Sequence, residues 1–137
     1  MTEGVSPQVA AAPSKTVCIV DDDASIRTAL RRLFLSAGLT VATFASAEEF
    51  LREADGTAGC VVADVHLGGM NGLELQAALI RRGDALPMIL ISGVASEEME
   101  AEALRLGAIA FLRKPFNAGT LLDTVLAALG IASTATS

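Results

Sequence analysis

Reactive side chains stand directly after apolar, β-branched runs at several places in this sequence. Asp21, Asp22 and Asp23 follow TVCIV (16–20), and Asp64 ends CVVAD (60–64). Ser92 ends MILIS (88–92), and Lys114, followed by Pro115, comes just after AIAFL (108–112). Two carboxylates ~4 Å apart repel by about 4 kcal/mol at an effective dielectric of about 20. Several of them gathered at one edge would not all stay ionised unaided. A divalent cation or a lysine must neutralise them, and Lys114 is one of only two lysines, with Lys15. Oxygen-only ligands favour a hard ion, so Mg²⁺ is the expected metal. A cation held by carboxylates, beside a lysine and a hydroxyl, suits a transferring phosphoryl group. The positive charges clamp its oxygens, and one carboxylate can attack phosphorus.

Taken singly, each piece has an ordinary structural reading. A run of aspartates is a solvated turn or a helix cap, a lone aspartate after a strand is a cap, and Lys-Pro is a turn. Their placement on the elements argues otherwise. The four runs above, with TVATF (40–44), make five strands, each followed by a helical pattern. Five strand–helix repeats spell an α/β fold with a parallel sheet covered on both faces. In such sheets ligands bind at the carboxyl ends of the strands, at a topological switch point. All four chemical positions fall on that edge.

The helices carry their own punctuation. Asp23 is the expected N-cap of the first and Gly38 its stop, with an apolar stripe of Ile26, Ala29, Leu30, Leu33, Phe34 and Ala37. Ser46 with Glu49, and Asn71 with Glu74, read as capping boxes for the second and third, the third ending near Gly83. The fourth runs from Ser96 to about Leu106 on a thin stripe of Met99, Ala103 and Leu106. Its first turn carries Glu97 and Glu98, which suits the helix dipole. The fifth runs from Asn117 to about Leu129. Residues 1–14 and 131–137 read as tails around one domain, residues 15–130.

Composition sets the outer limits. A chain of 137 residues, 52% hydrophobic and 19% charged, has room for one cored domain and is too apolar for intrinsic disorder. A net charge of −6 disfavours direct binding to a nucleic-acid backbone. Cys18 and Cys60 sit in apolar runs with no CxxC, and read as small buried hydrophobes. The start, MTEGVSPQVAAAP, has neither the basic nor the apolar part of a secretion signal, and no run approaches the ~20 residues that span a bilayer. A soluble, cytoplasmic protein is the expectation.

VCIVDDDAS, CVVADVHLGGMNGLEL, MILISG and FLRKPF, in this order and spacing, resemble the receiver domain of bacterial two-component response regulators. RTALRRLFLSAGLTVATFASAEEFL most resembles the FixJ-type subfamily. The resemblance covers about residues 15–130. It implies a CheY-like (flavodoxin-like) sheet in the order 2-1-3-4-5, and a phosphorelay function rather than an enzyme's. Asp64 would accept a phosphoryl group from a histidine of a sensor kinase. Asp22 directly, Asp21 mainly through water, Asp64 and the backbone carbonyl of His66 would hold Mg²⁺. Lys114 and Ser92 would each contact a phosphoryl oxygen, and Phe111 would rotate inward when Ser92 moves. Asp23 would serve the helix start. The Lys114–Pro115 peptide would be cis, and the His66 side chain would point over the mouth of the site, where it could gate water or partners. A phosphorylated receiver would engage an output protein, a histidine phosphotransfer protein or a second copy of itself, with no membrane and no direct nucleic-acid contact.

Three departures from the family pattern stand out. Gly68 and Gly69 stand where a proline is common four residues after the acceptor, so that loop is expected to be looser. Phe111 replaces a frequent tyrosine, and Val94 puts an apolar residue beside the approach of water. Two other readings share parts of the pattern. A haloacid-dehalogenase-like phosphohydrolase also uses an aspartyl phosphate, Mg²⁺ and a lysine, but carries its nucleophile on the first strand and its acidic pair late, the reverse of the order here. A pseudo-receiver would act by contact alone, yet no reactive group is missing. FixJ-type regulators usually continue into a helix-turn-helix domain; with the fifth helix ending near Leu129, a stand-alone receiver is expected over an excised one.

Overall fold

The structure is a computed structural model and describes residues 16–84, 86–94 and 96–131. The elements alternate along the chain: β1 (Thr16–Val20), α1 (Ala24–Ser36), β2 (Thr40–Phe44), α2 (Ala47–Glu53), β3 (Ala58–Asp64), α3 (Gly72–Arg81), β4 (Met88–Ser92), α4 (Glu97–Arg105), β5 (Ala110–Arg113) and α5 (Ala118–Ala128). The five strands form one sheet in the order β2-β1-β3-β4-β5, and every neighbouring pair is parallel. This is the expected 2-1-3-4-5 order. The chain reverses its winding between β1 and β3, which makes their carboxyl ends the switch point. Residues 1–15 and 132–137, which hold nearly all of the two expected tails, lie outside the described residues.

Strand side chains alternate between two cores. Val17, Ile19, Cys60, Val62, Ile89 and Ile91 meet Leu30 and Phe34 of α1 with Leu121 and Val125 of α5. Cys18, Val20, Val61, Ala63, Met88 and Leu90 meet Phe50 of α2, Leu75 and Leu79 of α3 and Ala103 of α4. A period of two on strands covered on both faces explains why each run reads as continuously apolar. Phe34 and Phe50 are fully buried, each worth about 1.5–3 kcal/mol. Cys18 and Cys60 are free and buried, and burial pushes their thiols up to about 11 and about 12, so they serve as core hydrophobes.

Several boundaries differ from the expectation for identifiable reasons. β3 begins at Ala58 rather than Cys60, because Ala58 pairs with Thr16 before a register shift brings Cys60 opposite Val17. β5 begins at Ala110 rather than Ala108, whose N–H instead closes the end of α4 on the Ala103 carbonyl at 3.0 Å. Ala29 and Ala37 are exposed, so the buried stripe of α1 is narrower than the sequence pattern. The Asn71–Glu74 box is complete, with bonds of 2.8 and 2.9 Å. At α2, Ser46 caps Glu49 at 3.0 Å, but the Glu49 carboxylate reaches one residue further back, to the Ala45 N–H at 2.9 Å.

Candidate functional site

The carboxyl ends of β1, β3, β4 and β5 bring Asp21, Asp64, Ser92 and Lys114 to one edge. Backbone bonds set their spacing. The Val65 N–H donates to the Ile91 carbonyl at 2.8 Å, and the Lys114 N–H to the Ser92 carbonyl at 2.9 Å. The loops carrying the acceptor candidate and the lysine are therefore both pinned to the end of β4. The Lys114–Pro115 peptide is cis, as expected.

Asp64 is held at both oxygens. Lys114 Nζ donates to Oδ2 at 2.8 Å, and the His66 N–H donates to Oδ1 at 2.7 Å. Its side chain is 8% exposed and that of Lys114 is 30% exposed, so the pair faces solvent at the lysine. Burial pulls the Lys114 ammonium down, but its bond to Asp64 and the charges of Asp64, Asp21 and Asp23 outweigh that and leave it raised. Asp21 is 4% exposed. Burial pushes its carboxyl up to about 6; Asp64 and Asp22 add to the rise, while the Asp23 N–H, at 2.9 Å from Oδ1, and Lys114 oppose it.

The remaining candidates divide. Asp22 is exposed beside this pair. Asp23 caps α1 through the N–H groups of Ser25 and Ile26, at 2.8 and 3.4 Å. Ser92 is fully buried, and its Oγ accepts from the Val94 N–H at 3.2 Å. Phe111 is packed inward beside Leu90 and Ala103, the position that the resemblance assigns to the switched arrangement. The exposed His66 ring spans to the next loop, with Nε2 2.9 Å from the Val94 carbonyl oxygen. One cavity, lined by Phe50, Ala58, Leu79 and Leu86, lies toward the opposite, amino edge of the sheet, and another is lined by Glu48, Gly69, Met70 and Glu74 beside the loop after Asp64.

Sequence reading missed two residues. Arg27 lies outside the apolar stripe of α1, yet its Nη1 donates to the Asp21 carbonyl at 2.7 Å. Helical side chains lean toward the N-terminus, and that was the signal available. Glu48, in the first turn of α2, accepts from the Met70 N–H at 2.8 Å, and the expected looseness of the loop after Asp64 meets a tether there.

The donor set suits a hard dication. Every candidate ligand is an oxygen, and Asp21 is a buried carboxyl raised mainly by burial, with Asp64 and Asp22 adding to the rise, so a nearby cation would favour its charged form. Among the described residues no three His, Cys, Asp or Glu side chains are grouped to hold a metal by themselves. A cation bound at this edge would need a backbone carbonyl and water to complete its shell. Among the described residues no helix is long and apolar enough to cross a membrane.

The fold and this edge define a class. The family described as the response regulator receiver domain matches residues 17–126, and the chain belongs to it: a receiver domain of two-component systems, a signalling domain rather than a classical enzyme. Among known proteins, the chain is 45% identical over 119 residues to the transcriptional regulatory protein TdiR of Thauera aromatica, covering 86% of this chain and 52% of that one. It is 38% identical over 118 residues to the transcriptional regulatory protein FixJ of Azorhizobium caulinodans, covering 85% and 56%. The solved structure of FixJ-N superposes with a TM-score of 0.77 at 30% identity, covering 87% of this chain and 96% of that chain. The chain thus spans about half the length of the curated relatives it matches. The family match replaces the phosphohydrolase alternative.

Proposed function

We propose that Asp64 accepts a phosphoryl group from a phosphohistidine of a sensor histidine kinase, and that the modification switches a protein-interaction surface. The observation that carries this reading is the grip on Asp64, with Lys114 Nζ at 2.8 Å on one oxygen and the His66 N–H at 2.7 Å on the other. The lysine lowers the cost of bringing an anionic phosphoryl group to a carboxylate, and the N–H orients the carboxylate. In the transfer an Asp64 oxygen attacks phosphorus, the P–O bond forms as the P–N bond breaks, and the imidazole leaves with the electron pair. Lys114 then follows the charge onto a phosphoryl oxygen, and the Ser92 hydroxyl leaves Val94 to bond another. Asp22, Asp64 and the His66 carbonyl, with Asp21 through water, would hold Mg²⁺, which supplies positive charge to the phosphoryl oxygens when bound.

The domain proper is residues 15–130, and a cytoplasmic setting follows from a kinase partner that transfers its phosphoryl group there. Output passes to a protein partner, a histidine phosphotransfer protein or a second copy, rather than to nucleic acid through this acidic domain. Incubation with acetyl phosphate and Mg²⁺ tests the reading. The mass should rise by one phosphoryl group, and Asp64→Asn should abolish the rise. A wild-type chain that stays unmodified would point to a pseudo-receiver instead.

A further inference from the structure

The loop that follows Asp64 is secured at both ends. The Val65 carbonyl accepts from the N–H groups of Leu67 and Gly72, at 3.2 and 2.9 Å, and Asn71 caps α3. Between them the chain passes Gly68 and Gly69, which offer no side chain to anchor and lose the most conformational freedom on ordering. Gly69 adopts a φ of +75°. A β-carbon there would lie 2.7 Å from Glu48 Oε2, so glycine permits both the turn and the approach of that carboxylate. Glu48 Oε2 accepts from the next N–H, that of Met70, at 2.8 Å. This bond crosses from α2 to the acceptor loop, over 22 positions of sequence.

We propose that Glu48 is a positioning residue for the metal site: by holding the Met70 N–H it fixes the Gly68–Gly69 turn, and through it the His66 carbonyl. The inference rests on the reading of the site given above. Its physical content is pre-organisation. The His66 carbonyl is two residues before Gly68, on a stretch held at one end by β3 and, beyond Gly69, by this bond together with the Gly72–Val65 bond. With the bond present, the loop is ordered before the cation arrives. Without it, part of the binding free energy must order two glycines. The Met70 N–H holds the Glu48 carboxyl below the usual carboxylate range, as expected of an oxygen engaged in this bond. Groups that orient metal ligands typically cost at least about tenfold in affinity when removed.

Two variants separate this role from a general effect on the fold. Glu48→Ala removes the acceptor; Glu48→Gln removes the charge near the start of α2 but keeps an oxygen for the Met70 N–H. In Glu48→Ala, amide exchange at Met70 should accelerate in the metal-free chain, and Mg²⁺ affinity should fall about tenfold, with thermal unfolding close to wild type. Glu48→Gln should lie near wild type in both readouts. Wild-type exchange at Met70 or undiminished Mg²⁺ affinity in Glu48→Ala would overturn the proposal, as would a Glu48→Gln variant as impaired as Glu48→Ala. Failure of the underlying site reading shows separately, as a wild-type chain that binds no Mg²⁺.

Discussion

A carboxylate with 4% exposure has lost most of its water, and Asp21 has Asp64 and Asp22 close by. Its folded pKa of about 6 lies above the ordinary 3.8. The folded chain therefore holds this proton more tightly than the unfolded chain. The resulting stabilisation is complete below pH ~4 and is lost as the pH rises through about 6; above that, ionised Asp21 costs about 2–3 kcal/mol relative to a neutral group. Asp21→Asn keeps the oxygen that accepts from the Asp23 N–H. In EDTA it should raise the unfolding midpoint at pH 8 and have little effect at pH 4, measured by thermal denaturation. Equal shifts at both pH values would contradict the assignment. The residues of the site were legible in the sequence where their chemistry stood at a strand end: Asp21, Asp64, Ser92 and Lys114. Arg27 and Glu48 were not, because their bonds go to the Asp21 carbonyl and the Met70 N–H, backbone atoms that every residue carries.

At the scale of elements, strands were legible because a buried parallel strand must be apolar on both faces, and helices because their caps are specific. The edges were less so, since a strand begins where a backbone partner is free. Ala58 has Thr16 opposite it, while the N–H of Ala108 is committed to α4. The join of β3 to α3 has a stricter requirement. The Gly72 N–H bonds the Val65 carbonyl at 2.9 Å, and a β-carbon at position 72 would lie 2.6 Å from the Asp64 carbonyl oxygen and 2.9 Å from Val65 Cα. These are backbone atoms of the segment that carries Asp64 and cannot turn aside. Replacing a helical glycine by alanine normally stabilises by up to about 1 kcal/mol. Gly72→Ala should do the reverse, destabilising by about 1–3 kcal/mol as an overpacked site, and should slow phosphoryl uptake by displacing Asp64. Urea denaturation gives the sign, and a stabilised Gly72→Ala would show that α3 does not bear on the acceptor in this way.

For the whole molecule, a net charge of −6 is unevenly placed, with Glu97, Glu98, Glu100 and Glu102 all on α4. That helix rests on little: Ala103 is its one buried residue, and Gln76 Nε2 ties it to α3 by donating to the Ala103 carbonyl at 3.0 Å. Arg113 of β5 holds Glu100 of its own chain, Nη2 to Oε1 at 2.8 Å. The two side chains are 49% and 36% exposed, and an ion pair so open to solvent is worth at most about 1 kcal/mol, so it is readily exchanged. Ser92 and Phe111 lie at the inner edge of this face. The loop after β4 that would serve as the hinge runs from Gly93 to Ala95 and is described as far as Val94; Ala95 lies outside the described residues. If a phosphoryl group on Asp64 draws Ser92 away from Val94, the support under α4 changes, and Arg113 can trade Glu100 for an acidic helix of a second copy. A two-fold axis would let each copy give and receive one arginine. BeF₃⁻ with Mg²⁺ should accordingly raise the mass seen by light scattering toward that of a dimer or of a captured partner complex. Arg113→Glu should block the rise and leave phosphoryl uptake intact, because the partners of Asp64, the proposed acceptor, are Lys114 and His66. Glu100→Gln, which frees Arg113 within its own chain, should ease the rise. An unchanged mass with BeF₃⁻, and no partner captured, would refute the switch of this face; a block by Glu100→Gln equal to that by Arg113→Glu would show that the intrachain pair builds the surface instead of guarding it.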